Sequence, residues 1–294
     1  MKIAVAKYPI DAPADFAAFA DKQARWLREA SDAGARVAVL PEYLALELGA
    51  TFEAPVRGDL HMSLAAIQRY RADWIVLFSR LANELELHVV AGTFLLDTGQ
   101  GRYRNRADLF APDGAHRWQD KLQLTGFEKK TGVIEGGDTL KVFEIDGLRA
   151  GISVCYDIEF PLPVRAQCEA GARLLLVPSC TDTNAGATRV RVGCLARALE
   201  NRCFVAQAVT TGDAAWSPAL DVNTGEATVY APMDAGFPAD GIVSVTDAPT
   251  GWAYADIDVA VLADSRAGAQ VANDRDWPGQ LVPNLLRAKV ETLP

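Results

Sequence analysis

The feature of this chain that most constrains its fold is an alternation of short apolar runs with longer stretches whose apolar residues recur at helical spacing. Lys2 to Ala6 reads as a buried strand, and Ala14 to Ala33 as a helix whose Phe16, Phe19, Ala20, Leu27 and Ala30 share a face. Gly34 stops that helix, and Arg36 to Leu40 forms a second strand. Met62 to Leu85 reads as a second long helix with Leu64, Ile67, Trp74 and Leu77 inward, and Leu87 to Phe94 as a third strand. Buried strands alternating with helices call for a layered α/β architecture.

The middle third changes character. Arg102 to Ala111 turns at Pro112-Asp113-Gly114, and Leu140 to Ile145 turns at Asp146-Gly147 into Leu148 to Val154, so hairpins dominate there. Helix patterns return at Pro163 to Ala170 and Thr188 to Asn201, with strands at Arg173 to Val177 and Cys203 to Val209; Gly225 to Asp258 supplies the remaining strands. One segment echoes another. Ala33-Gly34-Ala35-Arg36, four apolar residues and Pro41 recurs as Ala170-Gly171-Ala172-Arg173, four apolar residues and Pro178. A helix stopped by glycine and feeding a buried strand produces such a match locally; the other reading is a fold with pseudo-two-fold internal symmetry.

With 294 residues, half of them hydrophobic, the chain buries one large core without dividing. Residues 1–265 are expected to form the one domain. The polar segment 266–294, with Trp277, Leu281 and Leu285 as isolated apolar anchors, is expected to pack on a partner subunit. A net charge of −9 with no basic patch argues against nucleic acid or an anionic membrane as partner. No apolar run approaches the ~18 residues that span a bilayer, and Lys7 interrupts the apolar start before a signal-peptide core forms, so the expected location is the cytoplasm. Cysteines at 155, 168, 180, 194 and 203 include no C-x-x-C pair and are odd in number, which fits free thiols in a reducing compartment. His61, His88 and His116 are scattered, and the glycines form no phosphate-binding pattern, so neither metal nor cofactor is expected.

Chemistry concentrates at three positions. In Val154-Cys155-Tyr156-Asp157-Ile158-Glu159-Phe160-Pro161 an apolar run ends in charged residues and a proline, which is how a nucleophile is presented. Only a thiolate attacks carbonyl or nitrile carbon well, so a reactive cysteine needs carboxylate and amine partners. Glu42 follows the strand that ends at Leu40, and Lys121 closes a strand ending at Asp120. LPEY around Glu42, DKLQLTGFE around Lys121 and CYDIEFP around Cys155, in this order, resemble the nitrilase, or carbon-nitrogen hydrolase, superfamily. The resemblance continues through Gly171-Ala172-Arg173, Val177-Pro178-Ser179 and Ala196-Arg197-Ala198-Leu199-Glu200-Asn201, and so covers most of the chain.

That resemblance implies a four-layer αββα sandwich, two sheets face to face with helices outside each, and a catalytic set of Glu42, Lys121 and Cys155. It implies that Glu42 takes the thiol proton and later activates water, while Lys121 stays cationic and holds the oxyanion together with a backbone N–H beside Cys155, at Tyr156. Ammonia or an amine then leaves a thioester. A second glutamate, at about the place of Glu128, is implied to line the pocket and orient lysine or substrate, with Glu135 and Glu144 as competitors. Subunits are implied to pair, as a homodimer or larger assembly, through the helices that follow the nucleophile. The expected activity is an amidase acting on a small carboxamide; nitrilase and N-carbamoyl-amide hydrolase share the catalytic set and stay open. A non-catalytic scaffold predicts decay of Glu42, Lys121 or Cys155, and none has decayed; a binding module would leave the thiol inert.

Other polar residues read as structural. Cys168, Cys180, Cys194 and Cys203 are expected as small buried hydrophobes, and Arg197 with Glu200 and Asn201 as ordinary helix pairs. Asp157 or Glu159 is expected to fix the turn of the nucleophile through backbone or arginine contacts. Arg189 and Arg191 either receive a substrate carboxylate or sit exposed on their helix. Beside Lys121, Cys155 is expected to carry more thiolate and be more accessible than the other four thiols, unless an anionic Glu42 holds the pair as thiol plus carboxylate.

Overall fold

A computed structural model describes residues 1–292. The first half runs β1 (Lys2–Pro9), α1 (Phe16–Asp32), β2 (Val37–Val39), α2 (Ala54–Arg57), α3 (Leu60–Ile67), α4 (Arg71–Glu84), β3 (His88–Gly99), β4 (Arg102–Phe110) and β5 (His116–Asp120). After α5 (Gly126–Thr131) and β6 (Ile134–Glu135) come β7 (Val142–Ile145), β8 (Leu148–Ile152), α6 (Pro161–Glu169), β9 (Leu174–Ser179), α7 (Asn184–Asn201), β10 (Phe204–Thr211), β11 (Thr228–Tyr230), β12 (Ile242–Val245) and β13 (Gly251–Asp256).

The strands pair in two runs of the same order, β13-β1-β2-β3-β4-β5 and β7-β8-β9-β10-β11-β12. In each, an antiparallel outer strand is followed by three mutually parallel strands and then two antiparallel ones. A short parallel contact from Lys7↔Val209 to Pro9↔Thr211 joins the two runs through β1 and β10. The repeated glycine segment marks equivalent corners of this pseudo-two-fold. Gly34 leads from α1 to β2 and Gly171 from α6 to β9, with φ of 82° and 99°, conformations that glycine adopts without a Cβ penalty.

Side-chain alternation along the strands builds the layers. Ile3, Val5, Val37 and Val39 pack with Phe143, Ile152, Leu175 and Val205 in a core between the two sheets. Their neighbours Ala4, Ala6, Tyr8 and Ala38 face the other way, onto Phe19 and Leu27 of α1 and Trp74 and Phe78 of α4. Val164, Cys168, Val190 and Ala198 of α6 and α7 cover the second sheet. The arrangement is the expected αββα sandwich.

The single helix expected over Met62–Leu85 is instead α3, a 3₁₀ turn at Gln68–Tyr70, and α4. Gln68 pins the break to β3: its amide donates to the Leu64 and Leu95 carbonyls, both at 2.8 Å, and accepts from the Asp97 N–H at 3.0 Å. In the segment 266–294, Trp277 lies under Arg165 of α6, 5.0 Å from guanidinium carbon to ring centre, while Leu281 and Leu285 are exposed. The last two residues of that segment lie outside the described residues. No helix among the described residues is long and apolar enough to cross a membrane.

Candidate active site

The carboxyl ends of β2, β5, β8 and β9 converge, the place where α/β sheets gather ligands. Pro41 follows β2, and Glu42 turns inward beneath Gly92 of β3. A Cβ on Gly92 would stand 2.1 Å from the Pro41 carbonyl oxygen, so only glycine lets this turn seat. Tyr43 takes a left-handed φ of 62°, and its N–H donates to Thr93 Oγ1 at 2.7 Å. Past it, a 3₁₀ segment over Leu44–Thr51 is tied to β1 and α1 by buried Glu47, which accepts from Tyr8 Oη and Lys22 Nζ at 2.6 Å each.

Lys121 extends the β4–β5 ladder by one bond, its N–H donating to the Asn105 carbonyl at 2.9 Å. Its Nζ reaches Glu42 Oε1 at 2.7 Å and Glu128 Oε2 at 2.9 Å, and all three side chains are within 1% of full burial. Glu128 stands in the first turn of α5, where Thr125 Oγ1 accepts from the Glu128 N–H and Glu128 Oε2 accepts from the Thr125 N–H at 2.9 Å. These reciprocal cap bonds lock the glutamate rotamer. The competing glutamates lie elsewhere: Glu135 pairs with Arg102 at 2.7 Å, and Glu144 is exposed on β7.

Cys155 follows β8 with a left-handed φ of 47°, a costly conformation for a residue bearing a Cβ, and opens a 3₁₀ turn over Cys155–Glu159. Asp157 fastens this turn to the loop after Lys121, accepting N–H bonds from Val154 at 3.2 Å, Leu122 at 3.1 Å and Gln123 at 2.7 Å. Arg197 of α7, paired with Glu200 at 2.8 Å, donates to the Ile158 carbonyl at 3.1 Å and braces the turn from behind. Cys155 Sγ lies 3.5 Å from the Cys180 carbonyl oxygen, and the Cys180 N–H donates to Glu42 Oε2 at 3.2 Å. The backbone of residue 180 therefore bridges thiol and carboxylate.

Charge is distributed unevenly across this cluster. Burial raises Glu42 above its ordinary carboxylate value, with Lys121 opposing and Glu128 adding to the rise. Burial also works against Glu128, but the Lys121 charge and hydrogen bond, with donors from Thr125 and Tyr43, bring it below the ordinary range. Lys121 resists the deprotonation that burial favours because Glu42 and Glu128 raise it well above a usual lysine. Burial and then the Glu42 charge push the Cys155 thiol well above a usual cysteine, against the pull of Lys121. Asp157 is pushed up to about 6, chiefly by burial.

The cluster opens on a cavity of about 280 Å³, with Tyr43, Phe127, Tyr156, Asp182, Arg189 and Val222 in its walls. That volume suits a small ligand. Glu42, Lys121, Cys155 and Glu128, the side chains singled out in the sequence, lie together here, and Tyr156 follows the cysteine in the cavity wall. Two expectations need correction. Cys180 is not a fully buried hydrophobe: it is partly buried in the cavity wall, its own thiol pushed up to about 12 by burial and by Glu42. Nor is Cys155 the most accessible thiol, being buried where Cys180 is only partly so, and of the two ionisation outcomes the sequence left open the surroundings favour the thiol, raised by burial and then by Glu42. Arg189 stands at the cavity lip, 61% exposed and 3.7 Å from Glu159, whereas Arg191 is simply exposed. Asn105 and Tyr43 join the site unforeseen. The spacing Thr125-x-x-Glu128 matches a capping box and singles out Glu128 from its competitors.

The profile of the carbon-nitrogen hydrolase family matches residues 2–280. The probable hydrolase YhcX of Bacillus subtilis (strain 168) is 31% identical over 277 residues, which cover 94% of this chain and 53% of that protein. The chain thus spans about half the length of that relative. The omega-amidase NIT2 of Danio rerio is 25% identical over 260 residues, covering 85% of this chain and 86% of that one. Among solved structures, Saccharomyces cerevisiae Nit3, a member of branch 10 of the nitrilase superfamily, superposes with a TM-score of 0.73 at 20% identity, over 94% of this chain and 96% of that one.

Proposed function

The chain belongs to the carbon-nitrogen hydrolase family, and from that premise we propose that it is an amidase that releases ammonia from a small carboxamide through a thioester on Cys155. The observation that carries the proposal is the contact of one buried lysine with two glutamates, 2.7 and 2.9 Å away, beside a thiol at the floor of a small cavity. The omega-amidases among its relatives lend the amide reading further support.

In this reading Glu42 takes the Cys155 proton as Sγ bonds to the amide carbon. The carbonyl π electrons move onto oxygen, which the Lys121 ammonium and the Tyr156 N–H stabilise. Glu42 passes its proton to the nitrogen, the C–N bond breaks, and ammonia departs from the thioester. Water then gives a proton to Glu42 and its hydroxide to the carbon. Collapse returns the proton to sulfur and frees the acid. Glu128 anchors Lys121 throughout.

Ammonia release from a panel of small amides, nitriles and N-carbamoyl compounds tests this. Turnover of amides that is abolished in Cys155→Ala is expected, and amide turnover surviving that substitution would sink the proposal. We further propose a cytoplasmic homo-oligomer, supported by five free cysteines and by exposed Leu162 and Val192 on α6 and α7.

A further inference from the structure

Strand β4 points Tyr103, Asn105 and Ala107 inward, while Arg104 and Arg106 on the other face pair with Asp138 and Asp120. Register therefore gives Asn105 a core position, and it is fully buried. A polar amide in an inward strand slot breaks the apolar pattern, and such breaks gather at functional sites. Its Nδ2 donates to Glu42 Oε1 at 2.8 Å and to Glu128 Oε1 at 3.3 Å, whereas its Oδ1 is buried without a hydrogen-bond partner. Turning the amide over would set Oδ1 against two carboxylate oxygens. The side chain thus forgoes an acceptor bond in order to bring its donors to a carboxylate pair that shares one lysine.

We propose that Asn105 is a positioning residue that keeps Glu42 ionised as the base, by donating to Glu42 and Glu128 together and fixing Glu42 so that Oε2 turns toward Cys180 and the Cys155 thiol. The inference rests on the role given to Glu42 above. Two carboxylates around one ammonium carry an excess negative charge, which favours taking up a proton at Glu42, the member burial already raises. Hydrogen bonds to the charged form work against that uptake. Glu42 is faced by Lys121 from the end of β5, Glu128 from α5, Tyr43 from its own turn, Cys155 from the turn after β8 and Cys180 from the end of β9. None of these is altered in an Asn105 variant.

The test is the pH profile of kcat/KM for Asn105→Leu, which keeps the size of the side chain and removes both donors. Its acidic limb is expected to move up by about one pH unit, the scale of one hydrogen bond to a buried charged group. At neutral pH kcat is expected to fall roughly tenfold with KM little changed. Asn105→Asp keeps the shape and adds a third carboxyl to the cluster, so it serves where the leucine variant does not fold and should move the limb the same way. A folded variant whose limb stays in place, or whose loss is equal at every pH, overturns the proposal. Alkylation of Cys155 by iodoacetamide against pH, followed on its own peptide, separates this from failure of the activity itself. Even if the wild-type protein turns over no amide or nitrile, the acidic step in labelling rate, which follows ionisation of Glu42 as the group that takes the thiol proton, should move up by about the same unit in Asn105→Leu, and an unmoved acidic step refutes the coupling.

Discussion

Lys121→Met is the substitution whose consequences the geometry specifies most closely. The ammonium is buried and touches Glu42 at 2.7 Å and Glu128 at 2.9 Å. Methionine fills the space of the aliphatic stem and leaves two carboxylates without a counter-charge. Removing one partner of a buried ion pair costs about 3–5 kcal/mol. The protein escapes part of this by binding a proton: burial already raises Glu42, and loss of Lys121 raises the pair further. A carboxyl whose folded value lies above its unfolded one supports stability below the unfolded range and loses that support as pH rises through the folded value.

The deficit against wild type should therefore be small near pH 5 and reach about 3 kcal/mol or more by pH 8. Urea unfolding at the two pH values, read from the midpoints at unchanged slope, measures it. The double variant Lys121→Met/Glu42→Gln restores the net charge of the cluster and should recover much of the stability. Its turnover should not recover with the stability and should lie at or below that of Lys121→Met, itself down roughly a hundredfold or more, because the double variant lacks both the proposed oxyanion donor and the proposed base. A deficit below about 1 kcal/mol at both pH values, the range of an exposed ion pair, would mean that the glutamates are effectively solvated and that burial does not govern the site.

Other substitutions probe the supports. Because Cys180 shares the cavity wall, iodoacetamide should label both Cys155 and Cys180, yet activity should fall in step with Cys155 alone and a bound amide should slow both; activity surviving full Cys155 labelling refutes the nucleophile. Gly92→Ala places a Cβ 2.1 Å from the Pro41 carbonyl oxygen and should cost several kcal/mol and displace Glu42, while Gly147→Ala, with open space around it, should cost only the ~1 kcal/mol of its left-handed backbone; thermal melts that rank them equally count against the close approach. Asp157→Ala removes an acceptor from three backbone N–H groups and should lower stability by roughly 3 kcal/mol while loosening the turn of Cys155; a melt within a degree of wild type would contradict that tie. Light scattering should give at least twice the 31.6 kDa of one chain, and a monomer refutes the assembly.

How much of this could be read in advance depends on whether a feature is local. The glycine stops at Gly34 and Gly171 each feed a four-residue apolar run, so the repeat that organises both sheets is written in contiguous residues. Glu42 and Cys155 are legible for the same reason, since each is a reactive side chain placed where an apolar strand ends, and Lys121 is legible because it closes the short polar strand before the Leu122-Gln123-Leu124-Thr125-Gly126-Phe127-Glu128 run. Gln68 is different: it breaks the helix between α3 and α4 through bonds to Leu95 and Asp97, which no helical spacing reveals. Asn105 and Cys180 are hidden likewise, one because its role depends on pairing with β5, the other because its backbone rather than its thiol connects base and nucleophile. Ionisation is the least legible of all. Lys121 beside Cys155 suggests a thiolate, but the charge of the thiol is decided by three neighbours from three elements together with the exclusion of water. Burial and then Glu42 outweigh the lysine and raise the thiol, so a thiol beside a carboxylate, the arrangement the sequence left open, is the one the surroundings of Cys155 favour.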